Sequence, residues 1–79
     1  MPADPITVAD ARTMLEEHFG SSRLPTKYEN LLEWWTRLLG DPKAPPRMRM
    51  ACERDLDEIL GPIVGAEAVW VMTPGDDRN

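Results

Sequence analysis

The chain has 79 residues, of which 29% are charged and 42% hydrophobic, and its formal net charge is −5. This length predicts a single domain over residues 1–79, whose core supplies only about 3–5 kcal/mol of stability. An acidic balance disfavours nucleic-acid binding by the chain as a whole, because such binding depends on a basic surface. The sequence holds no apolar run near the roughly 20 residues of a membrane span. Its start lacks a signal-peptide pattern, and its single cysteine cannot form an internal disulfide, so we expect a cytoplasmic protein.

The first predicted helix covers residues 8–19 and follows a flexible stretch over residues 1–6. Thr7 and Asp10 have the spacing of a capping box, in which each side chain bonds to the backbone N–H of the other residue. Gly20 predicts the end of the helix, because it can take a positive φ without a Cβ clash. The apolar positions recur at helical spacing and comprise Val8, Ala11, Leu15 and Phe19.

The second predicted helix covers residues 27–39 and carries the clearest amphipathic pattern. Thr26 and Glu29 again have the spacing of a capping box, and Gly40 predicts the end of the helix. Trp34 lies beside the centre of the apolar stripe and cannot share it with Trp35. The stripe comprises Tyr28, Leu31, Leu32, Trp35, Leu38 and Leu39.

The third predicted helix covers residues 46–60 and follows an elbow, residues 40–46, that three prolines keep from being helical. Either Pro45 or Pro46 suits the first turn, and the Gly61–Pro62 pair predicts the end. The apolar side comprises Met48, Cys52, Leu56, Ile59 and Leu60, with Ala51 beside them.

The polar side of the third helix changes from basic at its start to acidic at its end. It carries Arg47, Arg49 and Arg54 first and then Asp55, Asp57 and Glu58. This order opposes the helix macrodipole, which favours acids at the N-terminal end. The arrangement is therefore either tolerated or used for a contact with another molecule.

Residues 66–72 allow two interpretations, a short strand around Val69–Val71 or a fourth helix packed on the others. Residues 73–79 have the composition of a flexible acidic tail. The predicted fold is thus all-α, a small three-helix bundle with either a short C-terminal strand or a fourth helix.

The sequence offers little for catalysis. His18 is the only histidine, so a catalytic or metal-binding histidine would have no histidine companion. Cys52 lies on an apolar stripe and is expected to be a small buried hydrophobe. If it were exposed, the nearby charges of Arg49, Glu53 and Arg54 could lower its pKa and make it reactive. Adjacent acids on one helix point in different directions and do not converge on a metal. We therefore expect no enzyme activity and no cofactor or metal.

The tryptophans point to protein–protein interaction, because three of them exceed what three short helices easily hide. One interpretation is that Trp34 and Trp70 simply cap the small core. The interpretation we favour places at least one of them in an interface, for which a homodimer is the simplest solution and a larger hetero-partner the alternative. The candidate interface residues are Trp34, Arg37, Met50, Trp70 and Met72.

The function expected from the sequence is a non-enzymatic protein–protein interaction module. A small adaptor, an inhibitor, an antitoxin or a phage accessory protein would fit, since the preference for Arg over Lys suggests a bacterial or phage genome. The alternative is a nucleic-acid-directed regulator or an acidic nucleic-acid mimic. Its candidate contacts to phosphate or to an acidic partner are Lys43, Arg47, Arg49 and Arg54.

Overall fold

The computed structural model describes residues 4–20, 24–65 and 67–72, so the predicted tail over residues 73–79 lies outside the described residues. The fold is a small all-α bundle of three helices. Helix α1 is Val8–Phe19 and helix α2 is Thr26–Leu39. The third helix runs over residues 46–64 in three consecutive pieces. These are α3 (Pro46–Asp55), a π-helical turn (Leu56–Leu60) and α4 (Gly61–Val64).

Helix α1 has the bounds that its sequence predicts, and its capping box is formed. The Thr7 hydroxyl accepts a hydrogen bond from the Asp10 backbone N–H at 3.1 Å, and an Asp10 carboxylate oxygen accepts one from the Thr7 N–H at 3.3 Å. At the other end Gly20 has φ 92° and donates its N–H to Glu16. Local sequence signals therefore suffice to place both ends of this helix.

Helix α2 begins one residue earlier than predicted, and the predicted capping box of Thr26 and Glu29 is not formed. Pro25 takes the N-cap position with φ −60° and ψ 149°, and its carbonyl accepts from the N–H groups of Tyr28 and Glu29. Thr26 thereby becomes the first helical residue. A capping side chain must come from the residue before the first helical one, so Thr26 cannot cap here.

The third helix starts at Pro46 as predicted but does not stop at Gly61–Pro62. A proline lacks the N–H that an α-helix would bond to the residue four positions before it. The chain accommodates Pro62 by widening into the π-helical turn, in which the Gly61 N–H bonds to the Leu56 carbonyl. The helix then continues to Val64 and packs against α1. Gly65, with φ 138°, ends it.

Residues 67–72 form neither a full strand nor a helix but an extended segment, which we call the C-terminal strap. It makes one parallel β-bridge, between Trp70 and Ile6. The Ile6 N–H donates to Val69 at 2.7 Å, and the Val71 N–H donates to the Ile6 carbonyl at 3.0 Å. The strap thus pairs with the opposite end of the chain, and Ile6, predicted to be flexible, holds it.

The core lies between the three helices and the strap. Trp35 is fully buried at its centre, and Trp70 from the strap packs edge-on against it with ring centroids 5.8 Å apart. Phe19 and Ile59, which the sequence also places in the core, are half-buried and pack against it. The buried set comprises Ala11, Leu15, Leu31, Leu32, Trp35, Leu38, Ala44, Cys52, Leu56, Leu60 and Trp70.

Trp70→Ala should unfold most of the protein, because removing a buried tryptophan costs about 3–5 kcal/mol, roughly the whole stability of so small a domain. Trp34→Ala is the matched control, since half-buried Trp34 has less surface to lose and should cost at most about half as much. Urea unfolding followed by circular dichroism measures both. Equal losses would mean that Trp34 is as much a core residue as Trp70.

Candidate functional site

Trp70, a candidate interface residue in the sequence, is part of the buried core in the structure, as the interpretation of a core-capping tryptophan expects. Trp70 is 4% exposed, and its indole N–H donates to an Asp57 carboxylate oxygen at 2.6 Å. The Trp70 ring packs edge-on against Trp35, and the hydrogen bond to Asp57 satisfies the indole N–H, which is the only polar group of the Trp70 side chain. A side chain in this position closes the core and has no free surface to offer a partner.

The other candidates from α2 and the strap are also tied to the fold. Trp34 is half-buried against the core. Arg37 is exposed and pairs with Glu33 one turn earlier, at 3.4 Å. Met72 is half-buried, and its backbone carbonyl accepts a hydrogen bond from Arg49 at 3.0 Å. None of these residues stands out as a free apolar surface.

Arg49, a predicted phosphate or acidic-partner contact, instead binds three backbone carbonyls. Its guanidinium donates to Leu38 at 3.2 Å, to Asp41 at 2.7 Å and to Met72 at 3.0 Å. These carbonyls belong to the end of α2, the elbow and the strap. A cation also suits the C-terminal end of α2, where unpaired carbonyls concentrate negative potential. Within the fold, Arg49 therefore joins these three segments.

Exposed residues of the third helix form a continuous face on the side away from the core. Cys52 and Leu56 are buried on the inner side, and Met50, 63% exposed, lies on the opposite side. Arg47, Ala51, Arg54 and Glu58 follow one another at spacings of three or four residues and so form one row along the helix. Met50, three residues from Arg47 and four from Arg54, lies beside this row. We call this the outer face of the third helix, and it comprises Arg47, Met50, Ala51, Arg54 and Glu58.

Four members of the outer face have polar or interface assignments from the sequence, namely Arg47, Met50, Arg54 and Glu58. Ala51, expected beside the apolar side, is instead exposed, and its spacing of three residues from Arg54 is the signal that places it on the outer face. Met48, also exposed at 42%, lies four residues before Cys52 and so at the margin of the buried stripe.

The cations around the outer face lack internal partners in the part of the chain that the structure describes. There the ion pairs within 4.0 Å are Arg12–Glu29 and Arg37–Glu33, and neither involves Lys43, Arg47 or Arg54. All three side chains are exposed. Their charge is thus presented to solvent on either side of Met50 and in the middle of the elbow.

Cys52 is a buried hydrophobe, as the first interpretation of the sequence proposes. Burial, together with the smaller effects of the Asp55 and Glu53 carboxylates, raises the pKa of its thiol to about 11. The pKa is thus raised, whereas a reactive thiol at this position required it to be lowered. The thiol stays protonated at neutral pH, which is the less reactive form.

Within residues 4–20, 24–65 and 67–72, no three His, Cys, Asp or Glu side chains come together in a way that could hold a metal ion. His18 is exposed at the end of α1, where its ring meets Phe19 edge-on.

None of the described helices combines the length and the apolar character that crossing a membrane requires.

Comparison of the chain with protein-family models, with curated proteins and with solved structures found no match.

Arg49→Ala should lower the free energy of unfolding by about 1–3 kcal/mol, because it removes hydrogen bonds from a charged donor to three carbonyls. Arg47→Ala removes the same side chain from an exposed position two residues earlier and should change stability by no more than about 0.5 kcal/mol. Urea unfolding of both variants measures the difference. Similar small effects would show that the three-carbonyl contact does not hold the strap.

A thiol reagent should label Cys52 in the native protein far more slowly than in the urea-unfolded protein at neutral pH. Both burial and the raised pKa act in this direction, because the reactive species is the accessible thiolate. Labelling followed by mass spectrometry gives both rates. Equal rates would place the thiol on the surface.

Proposed function

We propose that the protein is a non-enzymatic protein-interaction module that binds its partner through the outer face of the third helix. The observation that carries the proposal is the exposure of Met50, 63% of whose surface remains accessible between Arg47 and Arg54. Small adaptors, inhibitors and antitoxins are modules of this kind, and the proposal covers them without choosing among them.

The chemistry of the outer face suits a protein partner. A methionine side chain is flexible and polarizable, so it adapts to the shape of an apolar surface. Arginine is enriched at protein interfaces, where its aliphatic stem packs and its guanidinium bonds to carboxylates. A methionine flanked by two arginines therefore combines an adaptable apolar contact with charges that orient the partner.

A nucleic-acid-directed role ranks second. It rests on the exposed cations Lys43, Arg47 and Arg54, because Arg49 is used within the fold. Acidic side chains on the same helix, Glu53 and Glu58, would repel phosphates close to these cations. The chain also carries a net charge of −5, whereas nucleic-acid binding is favoured by a basic surface. These charges support a protein partner first.

Met50→Glu should lower partner retention at least about tenfold, equivalent to about 1.4 kcal/mol of binding free energy, because it places a charge at the centre of the apolar contact. The full chain carrying an affinity tag is used as bait in extract of the native cell, which also contains the untagged chain. Retained proteins are identified by mass spectrometry.

Met14→Glu is the matched control, because Met14 is an exposed methionine on α1, 39% exposed, outside the outer face. Proteins retained by the wild type and by this control but lost with Met50→Glu support the proposal. Circular dichroism confirms that both variants keep their helices. If every retained protein survives Met50→Glu, the outer face is not the binding surface.

A further inference from the structure

We propose that the partner of the outer face is a second copy of this chain, packed antiparallel along the third helix. This inference rests on the proposed function and names the partner of the same surface. It depends on how charge is distributed along the helix and on the symmetry of a dimer.

The two ends of the outer face carry opposite charges. Arg47 and Arg54 are exposed in its first part, and Glu58 is exposed in the π-helical turn at its other end. Asp57, next to Glu58, is also exposed and accepts the hydrogen bond from Trp70. Arg47 and Glu58 are separated by eleven positions of the sequence, or about 16 Å at 1.5 Å per residue along a helix. Within the described residues, neither Arg47 nor Glu58 forms an ion pair.

A two-fold axis makes this distribution self-complementary. When two copies of a helix pack antiparallel about such an axis, each end of one lies beside the opposite end of the other. With the axis level with Cys52 and Glu53, Arg47 of each copy faces Glu58 of the second copy. One favourable pair therefore occurs twice in the dimer.

The residues at the middle of the outer face fit the same arrangement. Ala51 is small and exposed, so it lets the two helix surfaces approach near the axis. Met50 of one copy then lies against the aliphatic stem of Arg54 of the second copy, and Arg54 lies against Met50 in return. The apolar contact is thus shared equally by the two copies.

Other occupants match the outer face less well. A parallel second copy would place Arg47 beside Arg47 and Glu58 beside Glu58, and like charges repel. A uniformly acidic partner would suit the arginines but would be repelled by Glu58 and Asp57. Only a partner with the opposite order of charges fits both ends, and an antiparallel copy has that order.

The net charge of −5 on each copy opposes dimerisation at long range. At physiological salt, charges more than about 8 Å apart are largely screened, whereas the facing pairs are closer than this. One helix face per copy is also a small interface, in the class of weak, transient complexes below about 1,200 Å². We therefore expect a concentration-dependent dimer that high salt dissociates.

Charge reversal tests the arrangement by sedimentation equilibrium of the full chain, from about 1 μM to about 1 mM, the range of weak complexes. Arg47→Glu and Glu58→Arg should each abolish the dimer. In either variant, residue 47 of one copy and residue 58 of the second copy carry the same charge, and the two-fold axis repeats this repulsive contact. The double variant should dimerise as the wild type does. An equimolar mixture of the two single variants should also form a dimer, because both of its ion pairs are then restored.

Unfolding does not explain the expected losses. Arg47→Glu puts an acid in the first turn of the helix, and Glu58→Arg puts a base nearer its end, and both changes suit the macrodipole. Glu17→Arg, an exposed reversal on α1, is the control and should leave the dimer unchanged. Circular dichroism verifies the fold of each variant.

A wild-type monomer over the whole range, a dimer that survives both reversals, or no recovery in the mixture would overturn the antiparallel dimer. The capture experiment separates this failure from that of the proposed function. If the wild type is monomeric and a different protein is retained in a way that depends on Met50, the proposed function is supported and the dimer is rejected. If the untagged chain is the only protein whose retention depends on Met50, both the proposed function and the dimer are supported. If no retained protein depends on Met50, the outer face is not the binding surface.

Discussion

The fold depends on the contact between Trp35 of α2 and Trp70 of the strap, whose rings meet edge-on at an angle of 89°. A buried indole also needs an acceptor for its N–H. Trp35 finds one in the Val71 carbonyl at 2.7 Å, and Trp70 finds one in Asp57 of the third helix. The apolar contact and these two hydrogen bonds together fix the strap against two of the three helices.

Features that arise within a few residues could be predicted from the sequence. The bounds of α1 follow from Thr7, Asp10 and Gly20, and the inward side of α2 follows from its apolar spacing. The position of Trp70 could not be predicted in this way. It depends on pairing with Ile6, at the other end of the chain, and on the space above Trp35, neither of which leaves a local pattern.

In the candidate site, too, some positions follow from local sequence spacing and others depend on contacts between distant parts of the chain. Periodicity identifies Met50 as outward-facing, since it lies two residues from buried Cys52 in a helix. Charge alone groups Arg49 with Arg47 and Arg54, although its spacing of three residues from Cys52 indicates a position toward the inner side. The three carbonyls that it binds come together only in the folded chain, so their convergence had no sequence signal.

The position of Trp70 also has a consequence for the order of folding during translation. The helices can form as they emerge from the ribosome, because their hydrogen bonds are local. The contact of Ile6 with the strap spans nearly the whole described chain, and contacts of such high order form late. Until residue 70 has been synthesised, the indole of Trp35 lacks its cover, so the nascent chain exposes apolar surface that the finished protein hides.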